Sequence, residues 1–379
     1  MNRSVLSGNE LFLPARAVVL QPETLCNLDC SYCYLPFRQR RNRMSIEVAQ
    51  AVADSIRAWT ASATVEVCWH GGEPLATGRT YLSKLMDCFN GMDVKHSIQT
   101  NATLINESWC RFLAGRQVHV GVSIDGDNSD NVNRVDRSGR PAYGKIVRGI
   151  REPVDHGHEV HAIAVVSDPS AERARRLYEF AASLGISELG VNIEEQEGVN
   201  ATVNAHDRAE VIGFWSELTR IWAENPVLRI REVARSLGCI GAVLRDDSTV
   251  IRTGPAIDPL PTVGYDGSVT LIPPELAGFS GPHGSFATGS ILVDSLDKII
   301  ARSEGSRWIA EFARGVENCR ASCAFFDFCG GGHPANRYFE LGRLDTTETN
   351  YCRNSKIALL EGVLKNAQPD AAGRTHPLA

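Results

Sequence analysis

The sequence predicts an α/β fold: a partial (β/α)6 barrel of the TIM type, open on one side, followed by a cysteine-rich C-terminal domain. Three observations predict it. Between residues 16 and 202, short apolar strand patterns and amphipathic helix patterns alternate about six times, which favours a parallel sheet with right-handed crossovers. From about residue 239 the composition shifts to Gly, Pro and short strand patterns. Seven of the eleven cysteines form two groups, Cys26, Cys30 and Cys33 near the start and Cys319, Cys323, Cys329 and Cys352 near the end. Six units fall short of the eight that close a barrel.

The first strand is the apolar run Ala17 to Leu20. Residues 45–60 read as a helix, with Ser45 as N-cap and apolar residues at helical spacing. Val65 to Trp69 alternates as a strand. Helices follow at about 79–90, 106–114, 143–155 and 170–184, and strands at about 95–100, 118–124, 159–166 and 188–194. Residues 203–237 break the alternation and read as mostly helical, over Arg208 to Ala223 and 226–237. Thr262 to Ile272 reads as a hairpin turning at Asp266-Gly267. The resulting division is an N-terminal extension (1–15), the barrel (16–202), a helical bridge (203–238), the cysteine-rich domain (239–367) and a frayed polar tail (368–379).

An apolar fraction of 43% and a charged fraction of 22% are those of a soluble globular protein. A net charge of −6 gives no basic excess for nucleic acid. No long uncharged apolar run can span a bilayer, and the N-terminus lacks the apolar core of a signal peptide. A cytoplasmic location follows, in which clustered cysteines argue for metal or redox chemistry rather than disulfides. Cys68, Cys88, Cys110 and Cys239 are scattered and read as small buried residues.

Cys26, Cys30 and Cys33 stand at C-x3-C-x2-C spacing on one short loop after the first strand. Three thiolates can hold three irons of a [4Fe–4S] cube and leave the fourth open to a chelating substrate. A zinc knuckle uses the same residue types, but zinc sites usually close with four ligands in paired units, and no fourth ligand lies nearby. In α/β barrels the loops after the strands build the site. The second strand delivers His70-Gly71-Gly72-Glu73-Pro74, where glycines expose backbone and Glu73 offers an acceptor suited to an ammonium. The third ends at Gln99-Thr100-Asn101-Ala102 and the fourth at Ser123-Ile124-Asp125-Gly126, short polar groups that suit a ribose or a carboxylate, or that act as caps and turns. The fifth and sixth end at Ser167-Asp168 and at Asn192-Ile-Glu194-Glu195-Gln-Glu197-Gly198, acidic groups that can orient a substrate, take a proton or form a solvated loop.

The cysteine loop, with Tyr32 before its last cysteine, and the Gly-Gly-Glu-Pro run one strand later resemble the radical S-adenosylmethionine (radical SAM) enzymes. The resemblance implies that Cys26, Cys30 and Cys33 hold the cluster. It also implies that Gly71, Gly72, Glu73 and Pro74 receive the SAM amino group, that Tyr32, Asn101, Ser123 and Asp125 line the SAM pocket, and that Arg134 clamps a carboxylate. The late run Cys319-x3-Cys323-x5-Cys329-Gly-Gly-Gly-His333, then Cys352, resembles the SPASM domain of radical SAM peptide-modifying enzymes. That domain usually carries two auxiliary clusters. Here His333 replaces one of its cysteines, and Leu271-Ile-Pro-Pro274 stands where another is expected. The resemblance therefore implies one auxiliary [4Fe–4S] cluster on Cys319, Cys323, Cys329 and Cys352. A four-cysteine zinc site is the alternative.

Pro273-Pro-Glu-Leu276, Phe286-Ala-Thr-Gly-Ser-Ile291, Phe328 to Glu340, Thr347 to Arg353 and Asn192 to Gly198 resemble the cyclophane-forming radical SAM maturases of ribosomally made peptides. The implied reaction starts when SAM is cleaved to a 5′-deoxyadenosyl radical, which removes a Cβ hydrogen from a core-peptide residue. That carbon then joins a nearby aromatic ring. Loss of one electron and one proton completes a C–C crosslink. Glu194, Glu195, Glu275 and His283 are candidate proton acceptors. The implied partners are a precursor peptide, with a leader and an aromatic-containing core, and an electron donor such as flavodoxin or ferredoxin. No winged-helix leader-binding domain is expected, which leaves leader recognition to the barrel rim, the bridge, a strand edge or a separate protein. Thioether formation, epimerisation, sulfatase-type formylglycine maturation and a non-catalytic iron–sulfur or zinc scaffold are the alternative functions.

Overall fold

The expected alternation of strand and helix is present in the computed structural model, which describes residues 11–202, 206–245 and 257–366. The extension up to residue 10 and the tail from 368 lie outside the described residues. Strands β1 (Ala17–Leu20), β2 (Val65–Trp69), β3 (Val94–Thr100), β4 (His119–Ser123), β5 (Val160–Val166) and β6 (Glu188–Ile193) pair in chain order, all parallel. The intervening helices are α1 (Ile46–Thr60), α2 (Arg79–Asp87), α3 (Glu107–Gly115), α4 (Tyr143–Asp155) and α5 (Ala171–Ser183). Local chemistry starts several of them. Ser45, Asn106 and Ser170 each accept a backbone N–H of the first turn of α1, α3 and α5. In α1 the buried stripe Val48, Ala49, Val52, Ala53 and Ile56 recurs at helical spacing and covers the sheet. β5 alternates buried and half-buried residues along its whole length.

The sheet extends past both ends of the six expected strands. Its order is β12-β9-β8-β1-β2-β3-β4-β5-β6-β7, with β7 (Arg229–Ile230), β8 (Thr262–Val263), β9 (Ser268–Thr270) and β12 (Gly289–Ser290). Residues read as bridge thus contribute a strand. α6 (Arg208–Glu224) matches its expected span, but the second bridge helix, α7, covers Arg231–Leu244 rather than 226–237. The reason is edge pairing: Arg229 donates its N–H to Ser187 O at 2.9 Å, and Ile230 is fully buried beside Leu189. At the opposite edge the Asp266-Gly267 hairpin forms, and β8 lies parallel to β1. The cysteine-rich half is therefore continuous with the barrel sheet.

Beyond β9, a 3-10 turn at Pro274–Leu276 and a small hairpin, β10 (Ser280–Gly281) with β11 (Gly284–Ser285), precede β12. The chain is then helical, a property the Gly/Pro-rich composition did not suggest. The helices are α8 (Leu296–Ser303), α9 (Arg307–Ser322), α10 (Phe326–Cys329), α11 (Pro334–Leu341), α12 (Asn350–Cys352) and α13 (Ala358–Asn366). α13 returns to pack on α6, where Gly362 meets Trp215, and Trp215 Nε1 donates to Asn354 O at 2.9 Å. Among the described residues no helix is long and apolar enough to cross a membrane.

Candidate active site

The loop between β1 and α1 carries Cys26, Cys30 and Cys33, and backbone hydrogen bonds fix its path. Cys26 N–H donates to Arg38 O (2.9 Å), Asp29 N–H to Val135 O (2.9 Å) and Ser31 N–H to Asn133 O (3.1 Å). The three thiols are free, half-buried and close enough that ionising Cys30 or Cys33 raises Cys26. Burial pushes Cys26 up to about 12 and Cys30 up to about 11. Leu28 N–H and Asn101 Nδ2 both approach Cys26 Sγ, at 3.4 and 3.6 Å. Converging thiols that desolvation holds neutral, with N–H donors already aimed at one sulfur, fit a metal cluster whose charge draws off the protons.

The Gly71-Gly72 turn lies against this loop. Gly72 has φ +61°, and a Cβ there would stand 2.3 Å from Glu23 O, so only glycine fits. The Glu73 carboxylate is fully enclosed and accepts from Leu75 N–H (3.0 Å), Thr100 Oγ1 (2.7 Å) and Asn101 N–H (2.9 Å). It caps the short turn begun by Pro74 and ties β2 to β3. Asn101 bridges Asn27 and Thr103, and Ser123 Oγ accepts from Gln99 Nε2 at 2.8 Å. Asp125 is a hub: it accepts from Tyr32 Oη (2.6 Å), Arg134 Nη2 (3.1 Å) and Val165 N–H (3.0 Å). Among the described residues, the buried donor Nε of Arg134 has no hydrogen-bond partner. Tyr32, Asn101, Asp125 and Arg134 thus frame the cysteine loop, with Ser123 at the adjoining strand end.

Past β6 the acidic run meets the cysteine-rich half. Gly198 has φ +59°, and a Cβ there would stand 2.1 Å from Tyr34 O, so the run is pressed onto the cysteine loop. Glu195 accepts from Asn336 Nδ2 of α11. Glu197, Glu275 and His333 bring one ligand atom each to within 4.8 Å of the others. Burial pushes Glu195 and Glu197 well above the usual carboxyl range, Glu275 to about 7, and His333 down to about 4. Glu194 turns aside to accept from Ser167 Oγ. His283 is not brought to this group: it lies on the β10–β11 hairpin, 2.9 Å from Glu311. The sequence reading passed over Glu197, although it lay in the quoted run. It also passed over the Tyr34–His70 hydrogen bond (2.7 Å), for which no spacing gives a signal.

Cys319, Cys323, Cys329 and Cys352 converge from α9, α10 and α12. Burial pushes Cys352 up to about 12, and the other three thiols add to the rise. Arg337, buried to 1% exposure, places Nη2 3.2 Å from Cys319 Sγ and Nη1 2.9 Å from Leu344 O. Four converging thiols with a buried cation beside them fit a closed four-thiolate site.

Comparison with known proteins places these features. A model of the radical SAM superfamily matches residues 22–181. An uncharacterised protein of Synechocystis sp. is 31% identical over 361 residues, which cover 90% of this chain and 89% of that one. A serine-type anaerobic sulfatase-maturating enzyme of Bacteroides thetaiotaomicron is 33% identical over 178 residues, 44% of this chain and 43% of the relative. In fold, the chain is similar to native anSMEcpe with bound AdoMet (TM-score 0.73, 22% identity, 92% of this chain and 97% of that one). It is also similar to Streptococcus suis SuiB bound to precursor peptide SuiA (TM-score 0.65, 17% identity, 90% and 76%). With a superfamily match that spans the cysteine loop and the strands framing it, the chain belongs to the radical SAM superfamily of enzymes.

Proposed function

We propose that this enzyme matures a ribosomally made precursor peptide by joining an aromatic ring to the Cβ of a nearby residue. The observation that carries the proposal is the convergence of separate segments on one interior. Glu195 with Asn336, Glu275 with His333, and Glu340, which accepts from the Asn350 and Tyr351 backbone, bring the acidic run, the Pro-Pro-Glu-Leu turn and the two late segments together beside the cysteine loop. A peptide substrate is supported by relatives of similar fold whose structures hold peptides, anSMEcpe with Cp18Cys peptide and SuiB with SuiA.

In this reading Cys26, Cys30 and Cys33 hold the SAM-binding cluster, Cys319, Cys323, Cys329 and Cys352 the auxiliary one, and residues 16–202 and 239–367 are the two functional units. When bound, the front cluster and SAM supply a radical able to remove hydrogen from an unactivated carbon. The protein's own residues do the rest. Asp125 orients Tyr32 and Arg134, and Arg134 Nε, unpartnered among the described residues, suits a carboxylate oxygen. The Gly71-Gly72 turn lays backbone close to the cysteine loop. Glu195, held by Asn336, is the proton acceptor we favour, because it faces the interior where Glu194 and His283 do not. An electron donor of the flavodoxin or ferredoxin kind would be the partner that supplies the electron this chemistry needs.

A second reading, sulfatase-type conversion of a serine or cysteine to formylglycine, is favoured by the sulfatase-maturating relative that aligns with the barrel half. One experiment separates the two. The enzyme is co-expressed with a short aromatic-containing precursor peptide, and the product is fragmented. A crosslink removes two hydrogens and suppresses backbone fragments between the joined residues. A formylglycine fragments normally and reacts with a hydrazide, which would overturn the crosslinking proposal.

A further inference from the structure

We propose that Glu197, Glu275 and His333 form a binding site for a single divalent transition-metal ion, separate from both cysteine sets. Three chain segments supply the ligands. Glu197 comes from the loop after β6, Glu275 from the 3-10 turn at Pro274–Leu276, and His333 from the residue before α11. Their ligand atoms lie within 4.8 Å of one another. Ligands bound at about 2.1 Å stand roughly 3–4 Å apart, so a closure of about 1 Å by long side chains completes the shell.

Two further observations point to a ligand. Glu275 Oε2 is shut off from solvent and has no hydrogen-bond partner among the described residues. Buried polar atoms are rarely left so, because each loses its hydrogen bonds to water without replacement. The nearest approach between the two side chains, His333 Nε2 to Glu275 Oε2 at 3.9 Å, is too long for a hydrogen bond but suits two groups waiting to share an ion. Glu195 and Glu340 stand near the group, as do the cations Lys356 and Arg337.

The donor set selects the ion. Two carboxylates and one imidazole favour manganese, iron(II) or zinc over the soft-metal chemistry of thiolate sites. Three protein ligands leave coordination positions open, as in catalytic rather than structural sites. His333 also borders a cavity of about 480 Å³, lined by Arg16, Arg235, Phe312 and Cys329 but by neither Glu197 nor Glu275. Tyr34, next to Cys33 in the chain, stands near Glu197 and Glu275. The ion would thus lie between the cysteine loop and the late cysteines, where an open position can take a carbonyl or carboxylate oxygen of the peptide.

The test is a manganese(II) titration of the full-length protein with both cysteine sets reconstituted, read by loss of the free-ion EPR signal. The expected result is one bound manganese per chain, displaced by zinc. Glu197→Gln, which keeps the side-chain shape, and His333→Ala should each weaken binding at least tenfold, whereas His283→Ala on the distant hairpin should bind as wild type does. Iron and sulfide counts confirm that each variant keeps its clusters, and Glu197→Gln decides the matter should His333→Ala fail to fold. Wild-type protein that binds no manganese or zinc, or binding unchanged in Glu197→Gln, overturns the site.

Discussion

Replacing Gly198 by alanine tests whether the acidic run is seated on the cysteine loop. At φ +59°, a residue with a Cβ costs about 1–2 kcal/mol. The new methyl would stand 2.1 Å from Tyr34 O and 2.8 Å from Tyr34 C, where contacts under 3.0 Å are essentially never found. The loop must therefore retreat by about 0.9 Å, an overpacking worth about 1–3 kcal/mol. The retreat also stretches the hydrogen bond from Val199 N–H to Tyr34 O, now 3.1 Å, at about 1 kcal/mol. Together these give a destabilisation of about 3–6 kcal/mol. Because Glu195 and Glu197 ride on the same loop, peptide turnover should fall about a hundredfold, as expected for a misplacement near 1 Å. Gly139→Ala is the control. Its φ is +75° and nothing lies within 4 Å of its Cβ position, so it should lose only about 1–2 kcal/mol. Urea unfolding followed by tryptophan fluorescence measures the first effect, and precursor-peptide turnover under anaerobic conditions the second. If Gly198→Ala matches Gly139→Ala in both, the close approach does not govern the site.

Glu73→Gln should destabilise the fold by about 2–3 kcal/mol, because its new amide faces donors, and thermal unfolding of the cluster-free protein checks this; unchanged stability would refute the structural role of its three hydrogen bonds. If the late cysteines hold the proposed cluster, Arg337→Met should lower its reduction potential by several tens of millivolts, since it removes a buried positive charge 3.2 Å from Cys319 Sγ; protein-film voltammetry reads the shift, and an unchanged potential refutes the pairing. The Arg220 guanidinium, with Arg175 adding to it, holds Glu217 down to about 2. Its contribution is present above the unfolded value near 4.3 and is lost as pH falls toward 2. Glu217→Gln should therefore cost about 0.5–1 kcal/mol at pH 7, and the difference from wild type should vanish over that acid window in pH-dependent urea unfolding.

The barrel was legible in the sequence because strand and helix periodicity are local: Ser45 and the Val48–Ile56 stripe declare α1 without help from the rest of the chain. The two cysteine sets were legible through spacing. What escaped depends on contacts between distant residues. Short edge strands such as Arg229–Ile230 exist only because β6 is there to pair with. The helices after Leu296 follow a Gly/Pro-rich run whose composition masks them. The hydrogen bonds that tie Glu73 to Thr100 and to the backbone of Asn101 join residues far apart in the chain, and no motif spacing declares them. Glu197, Glu275 and His333 come from three segments that no periodicity links.

The central claim is that the thiols of Cys26, Cys30 and Cys33 carry the enzyme's radical chemistry. It is tested most directly by reconstituting wild type and the Cys26→Ala, Cys30→Ala, Cys33→Ala variant anaerobically with iron and sulfide. Dithionite and SAM are then added, and 5′-deoxyadenosine is measured. Wild type should release 5′-deoxyadenosine. The variant should keep only the iron of the late cysteines and release none. A variant that cleaves SAM as fast as wild type would contradict the account.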